Sequence, residues 1–287
     1  MELEDLRIFV EVADAGGVSS AALRLGISKS MVSRRITRLE AKLGAQLFAR
    51  TTRGIALTEA GCIFRDYAAR VSADLDVVRE SMLPAGELRG RLRVAAPLSF
   101  GPTYFAPVLS RMASRHPQLQ ILSSYTDRFV DLVGEGFDCA IWLGHLSDSN
   151  LVARRIGPIF GKLVASPAYI EAHGAPETPD EIVNHQVVMR DAEKWQFMDG
   201  DEIVTVRPQG RFIADNAMSL VAAALDGVAY LPEPLVADHI YSGALVPIMT
   251  RHPIPPAGIF VVRPPGRYPS RKVRTLTEML IERFGTR

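Results

Sequence analysis

Near the start of the chain apolar residues return every three or four positions, the period of an amphipathic helix. Leu6, Phe9, Val10 and Ala13 make one such stripe, and Gly16 and Gly17 end it. A second helix follows, capped by Ser19 or Ser20 and packing Ala21, Ala22 and Leu25, and Gly26 then supplies a tight turn. Ser28 stands where a cap belongs for a third helix, whose buried stripe is Val32, Ile36, Leu39 and Leu43. The segment LFARTTRGIALT alternates apolar and polar residues about Gly54, the pattern of a two-stranded hairpin. From Thr58 a longer stripe of Ala60, Phe64, Tyr67, Val71, Leu75, Val78 and Met82 predicts a long helix that Pro84 and Gly86 stop.

Beyond Arg91 the rhythm changes to short apolar runs separated by helical stretches. LRVAA, QILSSY and DCAIWLG read as strands, with helices over Pro102–Arg115 and Phe129–Gly134 between them. A second set comprises KLVAS, a helix near Pro167–His173, QVVM, GRFIA, a helix near Ala217–Leu225, and VAYLP. The chain then returns to the first set around Val261–Pro265 before a final helix over Ser270–Phe284. Strands alternating with helices predict an α/β layout with a parallel sheet.

Charge changes the picture at the third helix. Between Ser28 and Arg53 stand seven basic residues (Lys29, Arg34, Arg35, Arg38, Lys42, Arg50, Arg53) against one acid, Glu40, in a chain whose net charge is only +1. A basic helix alone is most often a solvated surface. Here it follows a helix and a glycine turn and precedes a basic hairpin, the order of a winged helix-turn-helix. Lys29, Ser30, Ser33 and Arg34 lie in the part of such a helix that meets base edges, and Ser28 and Ser33 hydroxyls suit phosphate oxygens. Arg38 shares the outward face, and Arg50, Thr51 and Arg53 of the wing would grip phosphate or the minor groove. The stripe of the long helix is narrow and its far face charged, so a second copy would cover Phe64, Tyr67, Val71, Leu75 and Val78 as in a short coiled coil. The competing reading packs that stripe on the chain's own second domain.

The remaining composition narrows the function classes. Apolar residues make up 47% of the 287 positions and charged residues 23%, as in a soluble globular protein. Two cysteines, Cys62 and Cys139, form no disulfide framework. The opening MELEDLRIF is acidic rather than signal-like, and no apolar run reaches the ~18 residues of a membrane span, so a cytoplasmic protein without membrane contact is expected. The six histidines are scattered, with no HExxH, GxSxG, phosphate loop or dinucleotide fingerprint. No catalytic residue, metal site or cofactor is expected, and the chain does not read as an enzyme.

The stretch LRIFVEVADAGGVSSAALRLGISKSMVSRRITRLEAKLGAQLFARTTRGIALTEAG resembles the amino-terminal domain of LysR-type transcriptional regulators. LRGRLRVAAPLSFG, TDRFVDLVGEGFDCAIWLG, LVARRIG, LVASPAYIEAHG and GVAYLPEPLV resemble their effector domain and arrive in family order. The family often has Gln at the position of Lys29 and Arg at those of Trp142 and His145. The resemblance implies an α+β multidomain chain. A winged helix-turn-helix would cover residues 1–58, a linker dimerisation helix 59–87, and a two-lobed, periplasmic-binding-protein-like effector domain 88–287. Lobe I would span about 91–162 and 265–287, and lobe II about 163–264. It further implies double-stranded promoter DNA, a small-molecule effector, a homodimer going on to a homotetramer, and RNA polymerase as partners.

Ligands of open α/β sheets bind beyond the carboxyl ends of strands. That places Ser99, Phe100, Thr126, Arg128, His145, Leu146, Ser166, Asn216, Met218 and Pro232 at a cleft, with Trp142 as a further apolar wall. Hydroxyls beside free N–H groups suit a carboxylate, so the expected effector is a small, partly apolar organic acid. The alternatives are a regulator without a small ligand, or a solute-binding protein or enzyme of the same two-lobed fold.

Overall fold

Ile8, Phe9 and Val12 of the first helix, α1 (Leu3–Asp14), are wholly buried and form the centre of the amino-terminal head. Ala21 and Ala22 of α2 (Val18–Leu25) and Val32, Ile36 and Leu39 of α3 (Lys29–Leu43) close over them. Leu43, placed on that stripe by its spacing, is instead 41% exposed, because it lies in the last turn beyond the reach of α1. Gly26 ends α2 with φ 67°, a left-handed turn that glycine adopts without strain. A computed structural model describes the chain except for residues 1, 52–53, 66, 69–70, 72–86, 147, 191–192, 267 and 286–287, and the side chains of residues 50 and 51.

The wing pairs β1 (Phe48–Thr51) antiparallel with β2 (Gly54–Leu57). Glu40, the one acid of the basic segment, holds it to α3: its Oε1 accepts from the Leu47 and Phe48 amides at 2.7 and 3.1 Å. Thr58 then caps the linker helix, which is helical over residues 59–65, 67–68 and 71; its Oγ1 accepts from Gly61 N at 3.0 Å. A Cβ on Gly61 would sit 2.0 Å from the Leu47 carbonyl oxygen, so only glycine lets the linker lie this close to the head.

Two five-stranded sheets follow. The first has the order β4-β3-β5-β14-β6, built from β3 (Gly90–Ala96), β4 (Leu119–Tyr125), β5 (Cys139–Gly144), β6 (Val152–Ile159) and β14 (Ala257–Arg263). The second has the order β11-β8-β12-β7-β13, from β7 (Gly161–Ala165), β8 (Val187–Met189), β11 (Gly210–Ile213), β12 (Val228–Pro232) and β13 (Val246–Pro247). A hairpin of β9 (Trp195–Asp199) and β10 (Glu202–Val206) packs beside it, with Trp195 and Phe197 fully buried. Helices α4 (Ala106–Arg115) and α8 (Arg271–Phe284) cover one face of the first sheet, and α5 (Pro167–His173), α6 (Ala217–Ala223) and α7 (Glu233–Tyr241) cover the second.

The chain crosses between sheets twice: directly from β6 to β7 through Phe160, and from β13 back to β14. The return strand starts at Ala257, so lobe I resumes earlier than the expected residue 265. The sheets are mixed rather than parallel, since β14 runs antiparallel to β5 and β6, and β7 antiparallel to β12 and β13. The helix expected over Phe129–Gly134 is a turn. Asp131 Oδ1 accepts from Gly134 N at 3.0 Å and Phe137 N reaches back to Leu132 O at 2.8 Å, while Gly136, at φ 70°, ends the coil before a second turn forms.

Candidate nucleic-acid interface and ligand cleft

The basic residues of α3 divide by their partners. Arg35 turns inward: its Nη1 lies 3.0 Å from Asp5 Oδ1, and Asp5 is only 1% exposed. Burial works against the Asp5 charge. The Glu2 amide and the Arg35 guanidinium outweigh it and hold the carboxyl below its ordinary range. Arg38 leans toward Glu2 at 3.5 Å. Lys29, Ser30, Ser33 and Arg34 are exposed. Among the described residues Lys29 and Arg34 make no recorded ion pair or side-chain hydrogen bond. Positions 29 and 33, and 30 and 34, are four apart, so these four side chains share the amino-terminal half of one face.

Ser28 Oγ accepts from Met31 N at 3.2 Å and lies 3.0 Å from Ser30 Oγ, so its first task is capping α3 rather than holding phosphate. Arg50 and Thr51 lie on β1 with side chains outside the description, and Arg53 lies outside the described residues.

The linker stripe splits in two. Phe64 stacks edge-on against Phe9 at 4.9 Å, and Ala68 is 1% exposed within the head. Phe64 therefore packs within the head of its own chain. Tyr67 and Val71 remain exposed, and Ile63, one turn earlier, joins them. Leu75 and Val78 lie outside the described residues.

The head touches the first sheet through charges. Helix α1 ends in Glu11 and Asp14 with no basic residue in its last turn, against the preference of the helix dipole. Asp14 pairs with Arg65 of the linker at 2.7 Å and Arg93 of β3 at 2.9 Å, and Glu11 pairs with Arg91 at 3.3 Å. The Arg93 guanidinium also lies over the Phe137 ring, 5.2 Å from its centre.

Between the two sheets lies a cavity of about 340 Å³. Ser99, Phe100, Thr126, Arg128, Leu146 and Pro232 line it, as does Trp142. Trp142 meets Phe129 edge-to-face at 6.1 Å, and its indole N–H donates to the His145 carbonyl at 3.4 Å. Three expected residues stand elsewhere. His145 is exposed outside the lining, and so is Met218, 49% exposed. Ser166 is spent on structure: it caps α5 through Tyr169 N at 3.0 Å and donates to Leu225 O at 2.6 Å. Asn216, the cap of α6, reaches the cleft by donating from Nδ2 to Asp127 Oδ2 at 3.0 Å.

The cleft also contains Asp127, beside the expected Thr126 and Arg128, and three groups the sequence pattern did not single out: Arg190, Glu193 and Tyr230. The guanidinium of Arg128 is taken up by a two-pronged pair with Glu135, which keeps that carboxyl below its usual range. On the opposite lobe burial raises Glu193, against the pull of the Trp195 indole N–H at 3.3 Å. Burial and the nearby Glu193 push Tyr230 up to about 12. Because the folded Glu193 value exceeds the ordinary 4.5, its contribution favours folding most below 4.5 and is lost as pH rises through the raised value. Glu193→Gln is expected to melt above the wild type at neutral pH and to match it below 4.5 in a thermal series across pH.

Neither cysteine belongs to the cleft lining: Cys62 is exposed on the linker, and Cys139 is buried in β5, where desolvation raises its thiol and keeps it protonated. Among the described residues no group of three metal-ligating side chains is found, and no helix is long and apolar enough to cross a membrane.

The bacterial regulatory helix-turn-helix proteins of the lysR family match residues 3–62, and the LysR substrate binding domain matches residues 85–285. A transcriptional regulator of Xanthomonas campestris is 32% identical over 99% of this chain and 86% of its own length. PtxR, a transcriptional regulator of Pseudomonas aeruginosa, is 33% identical over 99% of this chain and 94% of its own. The full-length structure of AphB, the Vibrio cholerae virulence activator, is similar with a TM-score of 0.56 at 26% identity, covering 98% of this chain and 99% of that one. A reading head with a basic helix face, a linker and a two-lobed domain around a cavity, matched along almost the whole length, place the chain in one family: it belongs to the LysR-type DNA-binding transcriptional regulators, with an effector-binding domain.

Proposed function

We propose that the protein is a cytoplasmic, promoter-binding regulator whose hold on DNA is set by a small organic acid with an apolar body, bound between the lobes. The observation that carries the effector reading is the cavity itself. Aromatic and aliphatic walls (Phe100, Phe129, Trp142, Leu146) stand beside a few polar groups drawn from both lobes, the usual make-up of a small-molecule site. Lys29, Ser30, Ser33 and Arg34 would read base edges, while Arg38, Arg50, Thr51 and Arg53 would contact the backbone. Two chains would pair through the linker, using Ile63, Tyr67 and Val71 and the residues beyond, so that two heads read two half-sites. A tetramer through the effector domains, and contact with RNA polymerase, complete the reading. The protein would bind and release its effector without transforming it.

The test is a selection of genomic fragments by the purified protein at stated salt, followed by a melting-temperature screen of organic acids. Enrichment of one interrupted palindrome supports the regulator, since non-specific binding enriches none. A ligand held only by the native state must raise the melting temperature. An acid that does so and shifts operator affinity supports the effector reading. Enrichment without response to any acid would leave a regulator of another effector chemistry.

A further inference from the structure

We infer that Asp127 is a resident carboxylate, seated in the polar end of the cleft, and that the effector's own carboxylate takes its place. This rests on the effector reading above and names the group the effector must carry.

Three donors converge on Asp127. The Leu98 amide lies 3.0 Å from Oδ1, and the Ser99 hydroxyl and Asn216 Nδ2 lie 3.3 and 3.0 Å from Oδ2. Two come from the turn after β3 and the third from the other lobe, 89 residues along the chain. The Asn216 amide cannot turn to serve otherwise: its Oδ1 accepts from Met218 N at 2.9 Å and Ser219 N at 3.1 Å, which aims the NH₂ at the cleft. No arginine shares the work, because the neighbouring Arg128 is bound to Glu135. The result is a carboxylate-shaped set of neutral donors that the chain fills from within.

Asp127 lies in a bend after β4 rather than inside a strand or helix, and it is only half-buried. An incoming carboxylate replaces it like for like, so the polar contacts of the two states nearly cancel. The preference for the bound state then comes from the apolar body against Phe100, Phe129 and Trp142. Exchange also replaces the Asp127–Asn216 bridge, internal to the chain, with one made through the ligand, so the contact between the lobes comes to depend on the effector. The class named is therefore a carboxylate with an apolar, ring-sized body.

The test uses the full chain without DNA, with benzoate and acetate as probes and chloride as the ionic-strength control. An internal occupant lowers apparent affinity by the fraction of time it leaves its site. Asp127→Ala should therefore bind benzoate roughly tenfold or more tightly than the wild type. Acetate should raise the melting temperature of the variant and leave the wild type unmoved. Adding Ser99→Ala and Asn216→Ala should erase both gains. Equal responses in wild type and variant, or gains that survive loss of those donors, would overturn the inference. Asp127→Asn keeps the shape of the side chain but sets an NH₂ against the donors, so it should fold and bind benzoate more tightly than the wild type. Unchanged affinity in that variant would likewise overturn it. Rescue by acetate alongside DNA binding that ignores every acid would sustain the seat and sink the effector reading. The reverse pattern would sink the seat alone.

Discussion

Phe9→Ala is expected to unfold the head while the two-lobed domain stays intact. Phe9 is wholly buried and touches each part the head must join: Phe48 of the wing at 5.1 Å and Phe64 of the linker at 4.9 Å. Removing the ring costs lost transfer energy and leaves a cavity, together about 3–5 kcal/mol. Domains as small as this head bury a modest share of their surface, and whole domains are stable by only ~5–15 kcal/mol. The loss is therefore a large fraction of what the head has. Urea denaturation followed by circular dichroism should split into two transitions, the first shifted to low denaturant, with operator binding lost across it. A single transition at the wild-type midpoint would mean that the linker and wing do not depend on this contact.

Arg34→Ala should remove operator discrimination without unfolding anything. The side chain is exposed on the reading face, so its loss leaves no hole. A bidentate arginine–guanine pair is worth about 1–3 kcal/mol, and a dimer would lose it at both half-sites. Arg35→Ala, one residue along, should do the opposite. It strands the buried Asp5 carboxylate and lowers the head's melting temperature, while the ratio of operator to random-DNA affinity in the surviving protein holds. Competition binding at fixed salt, set beside thermal melts, separates the two. A preserved ratio in Arg34→Ala would move base reading to other residues of the face.

That neighbouring pair also shows where the sequence was legible. Helical spacing identified Val32, Ile36 and Leu39 correctly, because burial on a helix obeys a local period. The charge count took in Arg35 while the outward set left it out; its partner Asp5 lies 30 residues away, and no local pattern encodes that distance. Asp127 escaped for the same reason. Thr126, Asp127 and Arg128 stood together at a strand end, yet only the folded lobes bring Asn216 to the aspartate. Strand β6 went unread because VARRIGPI carries two arginines and no alternation, its outer half being exposed. The β9–β10 hairpin did carry a signal, the Gly200-Asp201 turn between two apolar runs, with Gly200 at φ 60°. Phe129–Gly134 looked helical by composition, but Asp131 folds back on Gly134 before the period is established.

The acids at the end of α1 bear on how freely such a head can be moved between proteins. Glu11 and Asp14 stand at the negative pole of their helix and find their counter-charges on Arg24, Arg65, Arg91 and Arg93, two of them in the sensor's first strand. A head cut away before β3 keeps its core but loses half of that compensation. Grafted onto a sensor without arginines at those places, it would face its new neighbour with two poorly matched carboxylates. The reader is thus fitted to its own sensor, and a working chimera would have to carry the first strand along or neutralise the end of α1.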